Sequence, residues 1–244
     1  MKRIFFRNLF HSMRVSLLSM AFIALMLAPA FAISVTVPGT ADPWLAGMPE
    51  GSRASTTDIA PDQSPVEVLG LPLIPGYFLT FTATGAVKNG PIKPLYGPDG
   101  NDTWILSHFA GAENGISDVT APIDALLGVL LGPDQPSFSP APSALDFGTS
   151  SSRDYTILSP QLQQVFFIGD GNTGEGIVQK VIVPPGAERL YLGVMDGFEW
   201  LNNGGTFNVE AEDPPFSTVP EPVTMILLSS GLLGFVGFRK KFKR

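Results

Sequence analysis

The sequence predicts an all-β domain, a β-sandwich, carried between two terminal segments that belong to export rather than to the fold. Short apolar runs recur along the middle of the chain, each bounded by Gly, Pro, Asn or Asp. Several of these runs alternate apolar and polar residues, the period of a half-buried strand. The 26 glycines and 23 prolines favour many turns over long helices.

In chain order, Ile33 to Val37 reads as a first strand. Residues 33–67 otherwise form an irregular arm, because "ADPWLAGMPEGSRASTTDIAPDQSP" sustains no period. The sandwich proper spans 68–213. In "GYFLTFTATGAV", Phe78, Thr80 and Thr82 alternate with Leu79, Phe81 and Ala83. "TWILSHFA" and "DALLGVLLG" are compact apolar runs, and within Ala121 to Leu131 a helical pattern is also admissible. "QQVFFIGDG", "GIVQKVIVPPGAERLYLGVMDG" and "TFNVEAED" complete a set of about eight strands, with Gly-Asp-Gly and Pro-Pro-Gly as turns.

The ends have a different chemistry. Lys2, Arg3, Arg7 and Arg14 precede an apolar core from Val15 to Leu27, and Ala30-Phe31-Ala32 supplies a small-x-small cleavage pattern. Residues 1–32 therefore read as a signal peptide for signal peptidase. At the other end, 16 uncharged residues from Val223 to Phe238 run into Arg239, Lys240, Lys241, Lys243 and Arg244. An apolar run closed by cations is a stop-transfer arrangement, here a short transmembrane helix with the cations held at the inner membrane's cytoplasmic side.

Val219-Pro220-Glu221-Pro222, the apolar span 223–238 and the basic tail 239–244 together resemble the PEP-CTERM sorting signal of Gram-negative bacteria. The resemblance implies an exosortase as partner, a transient inner-membrane anchor, and delivery to the cell surface or extracellular matrix. Such systems accompany exopolysaccharide production. The signal, residues 219–244, says nothing of the chemistry of the domain it carries.

Composition limits that chemistry. Between the ends, Ile33 to Thr218 holds six basic and twenty-one acidic side chains, a net charge near −15. Phosphate contacts require basic side chains, so nucleic acid is not an expected partner. There is no cysteine, which excludes disulfides and thiolate-held zinc. His108 is the one histidine outside the signal peptide, which leaves a histidine-based triad little support. Gly169-Asp170-Gly171-Asn172-Thr173-Gly174 lacks the Gly-Lys-Ser/Thr of a phosphate loop and reads as a turn. Asp124, Asp146, Asp170 and Glu175 could in principle pair as in a glycoside hydrolase, but no motif selects a pair. The expectation is a protein that is not an enzyme.

The stretch "VMDGFEWLNNGGTFNV" gathers oxygen-bearing side chains around glycines. It fits an Asn-Gly hairpin turn. Read alone the turn is the more ordinary assignment; the stretch also fits a cup for a hard cation, with Asp196, Asn202 and Asn203 converging from two strand ends and a carbonyl of Glu199 or Trp200 added. "GVMDGFEWLNNGGTFNVEA" resembles the closing loop and last strand of LecA-type calcium-dependent galactophilic lectins. "LTFTATGAVKNGPIKPLYGPDGN" and "DALLGVLLG" resemble further strands of that family, so the likeness runs from Gly76 to about Ala211 with an insertion near 133–159.

That resemblance implies a galactose-binding-like sandwich, a Ca²⁺ cofactor and a galactose-type carbohydrate or exopolysaccharide as partner. It implies Asp196, Asn202 and Asn203 as metal ligands, with backbone oxygens from Asn89 and from Trp200 or its neighbour. Asp196 would also accept a sugar hydroxyl, and Asp99 and Asn101 stand where the family's sugar loop lies. This loop is one residue shorter than the family's, and the family's sugar-loop histidine has no counterpart here. Two further readings stand beside it: a structural matrix protein that binds no sugar, and a polysaccharide hydrolase.

Overall fold

The computed structural model describes residues 31–213 except Thr56. The signal-peptide core, the sorting motif Val219 to Pro222 and the apolar span 223–238 lie outside the described residues. Among those described, no helix is long and apolar enough to cross a membrane. The described residues form β-sheets with little helix, the all-β class that the pattern of short runs predicts, and the strands that follow are counted among them.

Fourteen strands follow one another: β1 (Phe31–Pro38), β2 (Arg53–Ala54), β3 (Asp58–Ile59), β4 (Val66–Glu67), β5 (Phe78–Lys88), β6 (Asn101–Ser107) and β7 (Val119–Ile123). Then come β8 (Leu126–Leu131), β9 (Leu145–Asp146), β10 (Ile157–Leu158), β11 (Val165–Phe167), β12 (Lys180–Ile182), β13 (Arg189–Val194) and β14 (Gly204–Asp213). One sheet runs in the order β1-β14-β5-β12-β10 and a second in the order β11-β8-β13-β4. A three-stranded sheet, β6-β7-β9, and the hairpin β2-β3 stand beside them.

The first sheet shows why alternation was readable. Val35 pairs with Val209 and Val209 with Ala83; Val37 pairs with Phe207; Ala211 pairs with Phe81. Opposed residues of an antiparallel pair share a face, and Val37, Phe207, Val209, Ala211, Phe81 and Ala83 are all buried. Thr82, Thr84, Asn208 and Glu210 on the other face are exposed, so one side of the sheet meets water.

The second sheet is covered on both sides at its centre, and β8 and β11 are accordingly apolar at every position. All six residues of β8 are buried. Leu126, Leu130, Leu190, Leu192 and Val194 form one face and join the core shared with the first sheet. The other face lies under the arm. A turn of 3₁₀ helix at Pro43–Leu45 is started by Asp42, whose Oδ1 accepts the Trp44 amide at 2.9 Å. Ala41, Trp44, Leu45 and Ala46 are buried, and the Val194 amide donates to the Ala41 carbonyl at 2.9 Å. The stretch without a sequence period is thus a lid over β8 and β13.

Ala121 to Leu131, where the sequence also admitted a helix, is two strands, β7 and β8, joined at Asp124 with φ +67°. That left-handed backbone conformation breaks a helix and turns the chain from the third sheet into the second. Because β1 begins at Phe31, the cleavage expected after Ala32 would remove only the pairs opposite Asp213 and Glu212.

Gly193 is where the lid touches β13. A Cβ there would lie 2.7 Å from Pro43 Cγ and 2.9 Å from the Ala41 carbonyl oxygen. Gly193→Ala is expected to lower stability by about 1–3 kcal/mol, the usual cost of overpacking. The control Gly97→Ala, whose Cβ meets nothing within 4 Å, should leave the urea midpoint unchanged.

Candidate metal and ligand site

The strand registers carry several oxygen-bearing residues to one end of the two sheets. Gly204 pairs with Lys88 at the end of the β14–β5 ladder, so Asn203 and Asn89 follow each other across that pair. Val194 pairs with Leu126 at the end of the β13–β8 ladder. Two further bonds continue it: Asp124 N–H to the Met195 carbonyl and Met195 N–H to the Ala125 carbonyl, both 2.8 Å. Asp124 and Ala125 thus both stand opposite Met195, a β-bulge at the left-handed Asp124, and Asp196 follows Met195 on the other strand.

Asp196 is 8% exposed and anchored. Its carboxylate accepts from the Gly197 and Phe198 amides, and Oδ2 accepts from Asn203 Nδ2 at 2.8 Å. Asn203 Nδ2 also donates to the Gly39 carbonyl at 3.2 Å, which ties the end of β1 into the cluster. Asn203 Oδ1 is buried without a hydrogen-bond partner. Asn202 Nδ2 donates to Glu199 Oε2 at 2.6 Å, while Asn202 Oδ1 faces Gly90, 3.4 Å from where a Cβ there would stand.

A cavity of about 180 Å³ opens beside these groups. Asn89, Asp196, Glu199 and Asn202 line its polar side, and Trp104, Phe109 and Phe198 its apolar side. The rings of Phe109 and Phe198 stack at 5.7 Å. Of the residues singled out in the sequence, the fold therefore brings together Asp196, Asn202, Asn203 and Asn89.

It places the others elsewhere. Trp200 is fully buried, its indole N–H donates to the Val194 carbonyl at 2.7 Å, and its carbonyl accepts the Asn203 amide at 3.0 Å. Asp58, buried in β3, accepts from the Trp200 and Leu201 amides at 3.2 and 3.0 Å and so fixes the loop from the arm. Asp99 Oδ1 accepts the Asp170 amide at 3.0 Å. Asn101 Oδ1 accepts from Thr103 at its amide and hydroxyl. Neither Asp99 nor Asn101 lines the cavity beside Asp196. Their turn clasps the Asp124 corner instead: a Cβ on Gly100 would sit 2.5 Å from the Ile123 carbonyl oxygen, and the Leu126 amide donates to the Pro98 carbonyl at 2.8 Å.

His108 is buried against Trp44, ring centroids 3.9 Å apart, and both its nitrogens are engaged, with Ser55 Oγ and with the Gly111 carbonyl at 2.8 Å each. Burial lowers its pKa, so it is neutral at pH 7. Asp146 and Asp170 cap their own turns, accepting the Gly148 and Asn172 amides at 2.8 Å each. The carboxylate that shares Asp124's surroundings is Asp196.

Sequence reasoning did not place Asp124 here. It is 0% exposed, and both of its carboxylate oxygens lack a hydrogen-bond partner. Burial, and next the charge of Asp196, push its pKa up to about 7. Burial raises Asp196 as well. Among the described residues, no three His, Cys, Asp or Glu side chains gather as a metal centre. The cluster is two carboxylates with amide oxygens, a donor set that suits a hard cation such as calcium and offers nothing to a thiophilic one.

The family model for the PEP-CTERM protein-sorting motif matches residues 218–241. The chain thus carries the sorting signal of an exported protein whose processing partner is an exosortase. No curated protein matches the chain.

Without a divalent cation, Asp124 sets a pH dependence. A carboxyl whose folded pKa lies above its unfolded value of 3.8 gives stability that is present below that value and lost as pH rises to about 7. The direction is the same for Asp196, Asp58 and Glu113. In chelator, the urea midpoint is expected to be higher at pH 5 than at pH 8. An equal or lower midpoint at pH 5 would contradict these placements.

Proposed function

We propose that this chain is a non-catalytic, exosortase-sorted protein whose domain binds carbohydrate with the help of a calcium ion. The observation that carries this reading is one cavity in which an oxygen-rich wall, Asn89, Asp196, Glu199 and Asn202, faces an aromatic wall, Trp104, Phe109 and Phe198. A sugar ring presents hydroxyls along its edge and C–H groups on its faces, and such a pair of walls answers both. The volume equals that of roughly six water molecules, the scale of one small polar ligand.

The residues present fit the ion. Asp196 and Asn203 offer a buried carboxylate and an amide oxygen without a hydrogen-bond partner, and Asn202 and Asn89 stand at the same rim. A bound calcium ion supplies coordination positions at which waters exchange for a pair of sugar hydroxyls. Asp196, Asn202 and Asn203 would hold that ion, and Asp196 and Glu199 would accept the flanking hydroxyl protons. A galactose-type sugar follows from the likeness of the Asp196–Ala211 segment to the galactophilic lectins. A Gram-negative source, a transient inner-membrane anchor and delivery to an extracellular polysaccharide are part of the same proposal, which the sorting signal at residues 218–241 supports. Extracellular calcium modules are often weak binders, and many copies in a matrix would compensate by multivalency.

Retention on a galactose-type resin in calcium, with release by chelator, is the expected behaviour of the parent chain. A folded Asp196→Ala variant should pass through unretained. If that variant is held as firmly as the parent, the site is elsewhere. If the parent itself passes through in calcium, a structural matrix role replaces sugar binding, and release of reducing ends from polysaccharide would make the protein a hydrolase.

A further inference from the structure

We propose that Asp124 is the second carboxylate of the cation site, so that a divalent ion is gripped between the β7–β8 corner and the end of β13. The inference rests on the calcium-dependent reading above and extends it to a residue that stands outside the oxygen-rich loop, 72 positions upstream of Asp196.

The backbone makes the case first. The β13–β8 ladder continues past Val194 and Leu126 through the Met195–Asp124 and Met195–Ala125 bonds, a β-bulge that sets Asp124 beside Met195, the residue next to Asp196. The charge of Asp196 bears on Asp124 from there, and like charges repel. Here the repulsion occurs out of water. Asp124 is fully buried and neither of its oxygens has a hydrogen-bond partner. No Lys or Arg among the described residues pairs with either carboxylate; the one acid–base contact among them is that of the neutral His108 with Glu113, at 3.7 Å. A buried carboxylate without a partner costs several kcal/mol, and an antiparallel sheet corner has no need of one.

The corner is also built to hold that side chain in place. Asp124 takes a left-handed backbone conformation, φ +67°, which an L-residue adopts at a cost. The Pro98 carbonyl and Gly100 close on the backbone at Ile123–Leu126 from the far side. Glycine would satisfy the turn without strain, yet a buried acid without a hydrogen-bond partner stands there. Asn203 Oδ1, also buried and without a partner, lies in the same cluster through its bond to Asp196. Two carboxylates and an amide oxygen give two negative charges and up to five oxygens, against the six to eight that calcium takes. The charge balance favours a divalent over a monovalent ion, and the ion would tie together the second sheet, the third sheet's corner and the β13–β14 loop.

The test uses Ca²⁺ alone on the purified full chain, with Asp124→Asn, Asp124→Gly and Asp196→Ala beside the parent. Asparagine and glycine both tolerate the positive φ. Calorimetry should show one site in the parent, weakened at least about tenfold in each of the three variants by loss of a charged ligand. In chelator, both Asp124 variants should melt higher than the parent, and neither should gain the parent's rise in melting temperature when calcium is added. If the Asp124 variants bind calcium as the parent does while Asp196→Ala does not, Asp124 is no ligand and the calcium reading survives alone. If the parent binds no calcium, both readings fall. Failure of both Asp124 variants to fold in chelator would also overturn the proposal, because without an ion that carboxylate is an unpartnered buried charge whose removal stabilises.

Discussion

Two aspartates, the fully buried Asp124 and the nearly buried Asp196, are held near each other at the end of the β13–β8 ladder, and the whole candidate site is arranged around that conflict. The registers leave no freedom in the matter. Once Leu126 and Val194 pair in the core, the bulge at Asp124 and Ala125 sets Asp124 beside Met195, next to Asp196. Asp196 is partly relieved by two amides and Asn203; Asp124 is not relieved at all. A proton or a cation has to supply what the protein withholds. The first gives a domain that is more stable in acid, and the second gives a binding site.

The rest of that end of the molecule serves to hold the pair still. Asp58 from the arm caps the loop at Trp200 and Leu201, and Trp200 is locked by its indole bond to Val194. Trp44 stacks on His108 and reaches the Ser117 carbonyl at 3.0 Å, joining the arm to the strand that leads into β7. The arm therefore packs over the second sheet and also positions the loop that follows β13. The exposed aromatics Phe109, Phe198 and Trp104 are then presented on a rigid base beside the acidic cluster. An acidic domain with few basic side chains repels nucleic acid and anionic lipid but tolerates divalent ions, which is consistent with a protein sorted to the outside of the cell.

Much of this was legible in the sequence, for physical reasons. Phe78 to Ala83 alternate because β5 has one wet face, and "LLGVLL" is continuous because β8 has none. Asp196, Asn202 and Asn203 were legible because polar residues crowded between two apolar strands stand out locally. Asp124 was not. It sits in an apolar stretch, "PIDALLG", where an acid looks like punctuation at a turn, and its meaning depends on a partner brought near only by the β13–β8 register. The arm hid its role for a similar reason, since its buried residues, Ala41, Trp44, Leu45 and Ala46, follow an irregular path without a period. Asp99 and Asn101 looked like sugar contacts by their place in the chain, but short-range hydrogen bonds and the Asp170 amide claim their oxygens.

The most direct measurement is a crystal structure grown in calcium, with anomalous scattering used to locate the ion. The expected result is a single peak with oxygens of both Asp124 and Asp196 at about 2.3–2.6 Å, completed by Asn203 and solvent or sugar oxygens. A gap between the two carboxylates closed by a direct carboxyl–carboxylate hydrogen bond, with no anomalous peak there, would show that a shared proton resolves the conflict and that no cation is held at this corner.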